Sequence, residues 1–176
     1  MGVGNLEQLK FGIAATAFKP LMGDDAAVCK ALNKTNKASL GALANTLSVV
    51  QEGSLFGEDD AIVGFGSLDE LPSETLEDEL RKETLFRETA EKLESSNSRQ
   101  QCDVYMTAYL CPKTASTAQL VPTTKRTRAP DDSLGSPEDR PKIQYASDFC
   151  RENRIFHWPL EFADVFQRGG FDCVLG

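Results

Sequence analysis

The chain has 176 residues, 40% hydrophobic and 26% charged, which suits one domain of ordinary size and excludes a chain disordered by composition. Its 19 Lys and Arg stand against 27 Asp and Glu, for a formal charge of −8; phosphate neutralisation supplies most non-specific DNA affinity, so this balance argues against the chain gripping DNA by itself. No apolar run approaches the ~20 residues of a membrane span, and Met1–Asn5 lacks the basic start of an export signal, so the expected compartment is the cytoplasm with no membrane partner.

From the N-terminus, Leu6–Leu21 is mildly apolar and mixed, with a break at Lys19-Pro20. Asp25 then precedes Ala26–Ala38, whose good helix formers and later lysines (Lys30, Lys34, Lys37) predict a helix with the charge order its dipole favours. Those lysines read either as a solvated face or as a phosphate-binding one. Ser39–Gly66 is punctuated by Gly41, Gly53, Gly57, Gly64 and Gly66 and predicts loops or a short helix.

Ser67–Ser95 carries the longest helical signal. Ser67 and Glu70 have the spacing of a capping box, and Pro72 fits either the first turn or a fresh start capped by Ser73. Leu76, Leu80, Phe86, Ala90 and Leu93 form a rough apolar stripe. A second helix is predicted over Arg99–Leu110, where Cys102, Tyr105, Met106, Tyr109 and Leu110 share one face. The two tyrosines read as core packing or as a platform on which bases stack.

Pro112–Lys142 holds five of the eight prolines and reads as a linker. Its basic cluster, Lys125-Arg126-Thr127-Arg128, is a solubilising loop or a phosphate contact. Order returns at Ile143–Arg154, predicted helical with Ile143, Tyr145 or Ala146, Phe149 and Cys150 inward. Gly169-Gly170 marks a turn, and Phe171–Gly176 reads as a buried strand. The expected organisation is therefore a mixed helix and loop segment (1–66), a helical hairpin (67–111), a Pro/Ser/Thr-rich linker (112–142) and a helix plus strand (143–176).

Five cysteines (Cys29, Cys102, Cys111, Cys150 and Cys173), odd in number and without C-x-x-C spacing, predict free, mostly buried thiols rather than disulfides or a zinc knuckle. His157, the only histidine, excludes a multi-histidine metal site; a Cys–His nucleophile pair stays open. No metal is expected.

The run Phe156-His157-Trp158-Pro159-Leu160-Glu161-Phe162, followed by Val165-Phe166 and Gly169-Gly170-Phe171-Asp172-Cys173-Val174-Leu175-Gly176, resembles a segment of large adenine-specific DNA methyltransferases. These are the methylase portions of fused type II restriction–modification enzymes and their BREX-type phage-defence relatives. The stretches around Gly23–Val28, Arg81–Phe86 and Cys102–Lys113 agree less specifically, and Ala163 stands where the family usually has proline.

The resemblance implies a mostly α fold with a few strands: a helical insertion plus one edge of a Rossmann-like α/β sheet. It implies an internal fragment that stops just before the family's Asn-Pro-Pro-aromatic motif, which orients the flipped adenine for attack on S-adenosylmethionine. Neither Gly2-Val3-Gly4 nor Gly64-Phe65-Gly66 has the context of a cofactor loop. Hence no catalytic, cofactor-binding or metal residue is assigned, and His157, Trp158, Asp172, Val174 and Gly176 are given structural roles near the sheet. DNA, S-adenosylmethionine and the remaining half of the enzyme are partners of the family, not of this chain alone. The alternative is a non-catalytic module that docks on a separate methyltransferase subunit. An enzyme of another kind, built on Cys173 or His157, is the third reading.

Overall fold

The computed structural model describes residues 2–4, 9, 11–47, 68, 71–124, 140–162, 165, 166 and 169–173. Five α-helices and a 3-10 turn (Ala15–Phe18) make up its regular structure, and no strand occurs among the described residues. The mostly helical expectation holds. A strand over Phe171–Gly176 does not: Phe171, Asp172 and Cys173 are exposed and irregular, and residues 174–176 lie outside the described set. Three exposed residues without a neighbouring strand have no ladder to join.

Helix α1 spans Ala26–Leu47. Asp25 caps it, its Oδ1 accepting from the backbone N–H of Ala27 (2.7 Å) and Val28 (3.2 Å). The helix runs nine residues beyond the predicted end at Ala38. Gly41 costs an exposed helix only about 1 kcal/mol, and Asn36 and Leu40 meet the loops around Gly12 and Thr124. Lys30, Lys34 and Lys37 are all exposed, as a solvated face requires.

Helix α2 spans Leu76–Glu94. Its start departs from the sequence reading. Residues 71–75 are not helical, and Thr75 with Asp78 forms a capping box: Asp78 N–H donates to Thr75 Oγ1 (3.2 Å), and Thr75 N–H to Asp78 Oδ2 (3.0 Å). Ser67, Asp69 and Glu70 lie outside the described residues. Pro72 and Ser73 precede the helix rather than opening it. Leu76, Leu80 and Phe86 are exposed, so the stripe reaches the core only at its C-terminal end, through Leu93.

Helix α3, Asn97–Leu110, follows at once, capped by Ser96. It is the central element. Beyond the expected Cys102 and Met106, it buries Ser98, Gln101, Asp103, Val104, Thr107 and Ala108, so it is covered nearly all round. Helix α4, Arg140–Glu152, packs along it with Ala146 and Cys150 fully buried and Pro141 in its first turn.

The linker expected over 112–142 requires correction. Residues 112–124 are ordered, and Lys113, Val121, Pro122 and Thr124 are buried. Side-chain hydrogen bonds hold this segment, chiefly Thr117 Oγ1–H to the Pro112 carbonyl (2.6 Å) and Lys113 N–H to Asp24 Oδ1 (2.8 Å). Residues 125–139, with the basic cluster, lie outside the described set, and α4 begins at Arg140, inside the expected linker.

Two apolar clusters fill the interior. One joins Val3, Leu9, Leu93, Cys102, Met106, Cys150, Ile155 and Leu160. The other joins Ile13, Ala17, Phe18, Ala108, Cys111 and Val121. Among the described residues no helix is long and apolar enough to cross a membrane.

Candidate functional site

The end of α4 sets up the one buried polar cluster that contains histidine. Ile155 N–H donates to the Cys150 carbonyl (2.8 Å) and Arg154 N–H to that of Arg151 (3.2 Å), the two bonds of a Schellman motif. Arg154 takes the left-handed position at φ 50°, where glycine is usual. The turn sends Ile155 back into the core and delivers His157 beneath α3. A short helix α5, Trp158–Glu161, then starts, with Pro159 in its first turn.

His157 is fully buried. Val3 N–H donates to its Nδ1 (3.3 Å), and its Nε2 lies 2.9 Å from Asp103 Oδ1. Because Nδ1 accepts, the ring proton sits on Nε2 and is donated to the carboxylate. Arg99 joins the same carboxylate at 3.6 Å, too long for a hydrogen bond, and reaches Glu161 Oε1 at 2.8 Å. Burial works against the Arg99 charge, but Asp103, Glu94 and Glu161 outweigh it, so the guanidinium pKa stands above its ordinary value.

Cys150 completes the cluster: its Sγ, Asp103 and His157 place their ligand atoms within 4.8 Å of one another. This trio has the right residue types for a cation site, yet its donors are committed. His157 Nε2 carries a proton, and its Nδ1 lone pair is used by Val3. The Cys150 thiol donates toward the Asp103 carbonyl (3.6 Å), and burial pushes its pKa up to about 12. A thiol that stays protonated is not a nucleophile. The same facts remove Cys150 and His157 as a catalytic pair, since no ring nitrogen is free to take the thiol proton. The arrangement is a hydrogen-bonded tie between the chain's first residues, α3 and the 155–158 turn.

Gly2 explains the first glycine pair. A Cβ there would lie 1.5 Å from the Phe156 carbonyl oxygen, so Gly2 allows backbone to meet backbone beside His157. This is a packing role, not that of a phosphate loop. Gly64-Phe65-Gly66 lies outside the described residues.

Around the tie, the residues of the distinctive run form an aromatic patch. Trp158 stands edge-on to Phe156 (5.5 Å) and Phe171 (5.8 Å), while Phe162 contacts Phe156, Trp158 and Phe171. Phe166 reaches Phe171 at 5.9 Å. Gly169 and Gly170, both at positive φ, turn the chain so that Phe171 can return to this group. The expected position of Trp158 and His157 beside a sheet is not observed among the described residues. His157 packs on α3, and Trp158 stays 38% exposed.

Tyr105 and Tyr109 are half-buried, with ring centroids 5.1 Å apart and hydroxyls at 3.3 Å. Tyr109 also accepts from Ala14 N–H (3.3 Å). Together with Lys19, Leu21 and Met106 they line an open groove of about 510 Å³. Desolvation raises the Tyr105 pKa. Both rings pack against the apolar clusters, which is the core role of the sequence reading.

A further tie, unmarked by any local pattern, binds three segments. Asn36 Nδ2–H donates to the Ile13 carbonyl (2.7 Å), while Thr124 N–H donates to Asn36 Oδ1 (2.8 Å) and Ile13 N–H to Thr124 Oγ1 (2.9 Å). Its members are up to 111 residues apart, so no local pattern marks them.

Compared with protein-family models, with curated proteins and with solved structures, the chain finds no match.

Proposed function

We propose that this chain is a non-catalytic part of an adenine-specific DNA methyltransferase, supplying helical scaffold to an enzyme that moves a methyl group from S-adenosylmethionine to adenine in DNA. The supporting observation is the aromatic patch. Phe156, Trp158, Phe162 and Phe171, which carry the resemblance in sequence, converge in space on one face beside the His157–Asp103 tie. Residues of that run serve as packing and anchoring groups. Among the described residues of that run, His157 is buried and bonded at both ring nitrogens and the aromatics pack on one another, which fits a scaffold rather than a catalyst.

The patch also favours a second reading, a docking module for a separately encoded methyltransferase subunit. Its four large aromatics remain 36–40% exposed on one surface, and exposed aromatic clusters mark interfaces.

The test is a methyl-transfer assay with labelled S-adenosylmethionine and adenine-containing duplex DNA. The chain alone is expected to transfer nothing and to bind no cofactor. Combined with a polypeptide bearing a cofactor loop and the Asn-Pro-Pro-aromatic motif, it should raise transfer, and Trp158→Ala should weaken that effect about tenfold, as for loss of an interface anchor. Transfer by the isolated chain would overturn the non-catalytic assignment. No effect on any such polypeptide would overturn the methyltransferase reading.

A further inference from the structure

We propose that the first residues form a proton-sensitive clasp: Val3 is held by the neutral ring of His157 and let go when that ring takes a second proton. The geometry leaves the proton one place to go. Nε2 already donates to Asp103 (2.9 Å), so a second proton enters at Nδ1, which accepts the Val3 N–H (3.3 Å). Two donors then face each other, and the Val3 bond is lost while the Asp103 bond survives and gains charge assistance.

Charged groups face the ring from two helices. From α3, the Asp103 carboxylate lies 2.9 Å from Nε2, and Arg99 lies 3.6 Å from the same carboxylate. From α5, Glu161 pairs with Arg99 at 2.8 Å. From α4, the Cys150 thiol is uncharged and adds no field of its own. The N-terminal segment meets the ring with the backbone of Val3.

Release is local but has a consequence for packing. The Val3 side chain is 1% exposed within the cluster of Leu9, Ile155 and Leu160. Its departure opens apolar surface beside Phe156, where Gly2 lies against the backbone carbonyl. Proton uptake and clasp opening are therefore coupled, and the coupling runs both ways.

The experiment follows the full isotope-labelled chain by NMR from neutral to mildly acidic pH, reading the His157 ring nitrogens and the amide exchange of Val3. At neutral pH the proton should be on Nε2. Val3 protection should fall about tenfold or more with the same midpoint as the ring titration, the scale of one lost hydrogen bond, while amides inside α3 hold. Gly2→Ala, whose Cβ would strike the Phe156 carbonyl, lifts the segment without touching the ring. In that variant Val3 should be unprotected at every pH, and the ring should take its second proton more readily. The proposal is overturned by Val3 protection that stays flat through the ring titration, by a proton on Nδ1 at neutral pH, or by a ring that stays neutral until the whole chain unfolds.

Discussion

Asp103→Ala probes the buried tie at its centre. The substitution strips the acceptor from His157 Nε2–H in a fully buried site, and an unsatisfied buried donor costs about 1–3 kcal/mol. Arg99 loses one of its three anions but keeps Glu161 at 2.8 Å and Glu94 at 3.5 Å, so that loss adds only about 1 kcal/mol. The sum is roughly 2–4 kcal/mol, a large share of the ~5–15 kcal/mol that holds an ordinary domain. Asp103→Asn separates bond from charge. Its amide oxygen still accepts from Nε2–H, so it should cost about 1 kcal/mol. Urea unfolding of the two variants and of a double-mutant cycle with His157→Ala measures these quantities, and the cycle should return a coupling of about 1–2 kcal/mol. Equal costs for the alanine and asparagine variants would show that charge, not the histidine bond, matters. A cost below about 1 kcal/mol for Asp103→Ala would refute the structural tie altogether.

Three further outcomes follow from other parts of the fold. Asn36→Ala removes a donor to the Ile13 carbonyl and the side-chain acceptor of Thr124 N–H and should cost about 2–4 kcal/mol by chemical denaturation. Arg154→Gly relieves the left-handed residue of the Schellman turn and should raise stability by about 1 kcal/mol in the same assay. The acid limb of the stability profile should depend on Asp24. The backbone N–H of Lys113 holds its carboxyl below the ordinary carboxylate value, so its contribution is complete above that value and is lost as pH falls through the lower, folded one. Asp24→Asn should flatten that limb in a pH-dependent melt.

Thiol chemistry checks the burial pattern independently. Cys173 is exposed, whereas Cys29, Cys102, Cys111 and Cys150 are buried. Desolvation raises all four buried thiols, Cys111 to about 11 and Cys150 to about 12. A disulfide-exchange reagent at neutral pH should modify Cys173 rapidly and the other four only on unfolding. Fast modification of Cys102 or Cys150 would contradict the packing of α3 against α4.

Helix positions were legible where local chemistry speaks loudly: Asp25 before α1, and the apolar spacing of α3 and α4. Boundaries failed where two local signals competed. Ser67 and Glu70 have capping-box spacing, and so do Thr75 and Asp78, which cap the helix that begins at Leu76. The expected linker failed for a different reason. Prolines and threonines in 112–124 suggest a loop, and a loop it is, but one held down by Asp24, just before α1, and by Asn36 within it. Composition reports the absence of helix and says nothing about burial.

The buried ties were illegible because each is assembled from distant residues, and because their polar members look like surface. Asp103 and His157 are 54 residues apart, and Asn36 and Thr124 are 88 apart. A polar residue can be buried only if partners arrive from elsewhere, so the fold must exist before the pattern makes sense. The same logic gives the N-terminal segment its importance. Leu6–Leu21 reads as mixed and unremarkable, yet Leu9 enters one apolar cluster and Ile13, Ala17 and Phe18 enter the other. Val3 reaches the His157 tie, and Ile13 reaches the Asn36–Thr124 tie. The first 18 residues therefore touch both cores and both polar ties, which makes them the piece that closes α3 on two sides. A clasp at Val3 then belongs to a segment on which both cores depend.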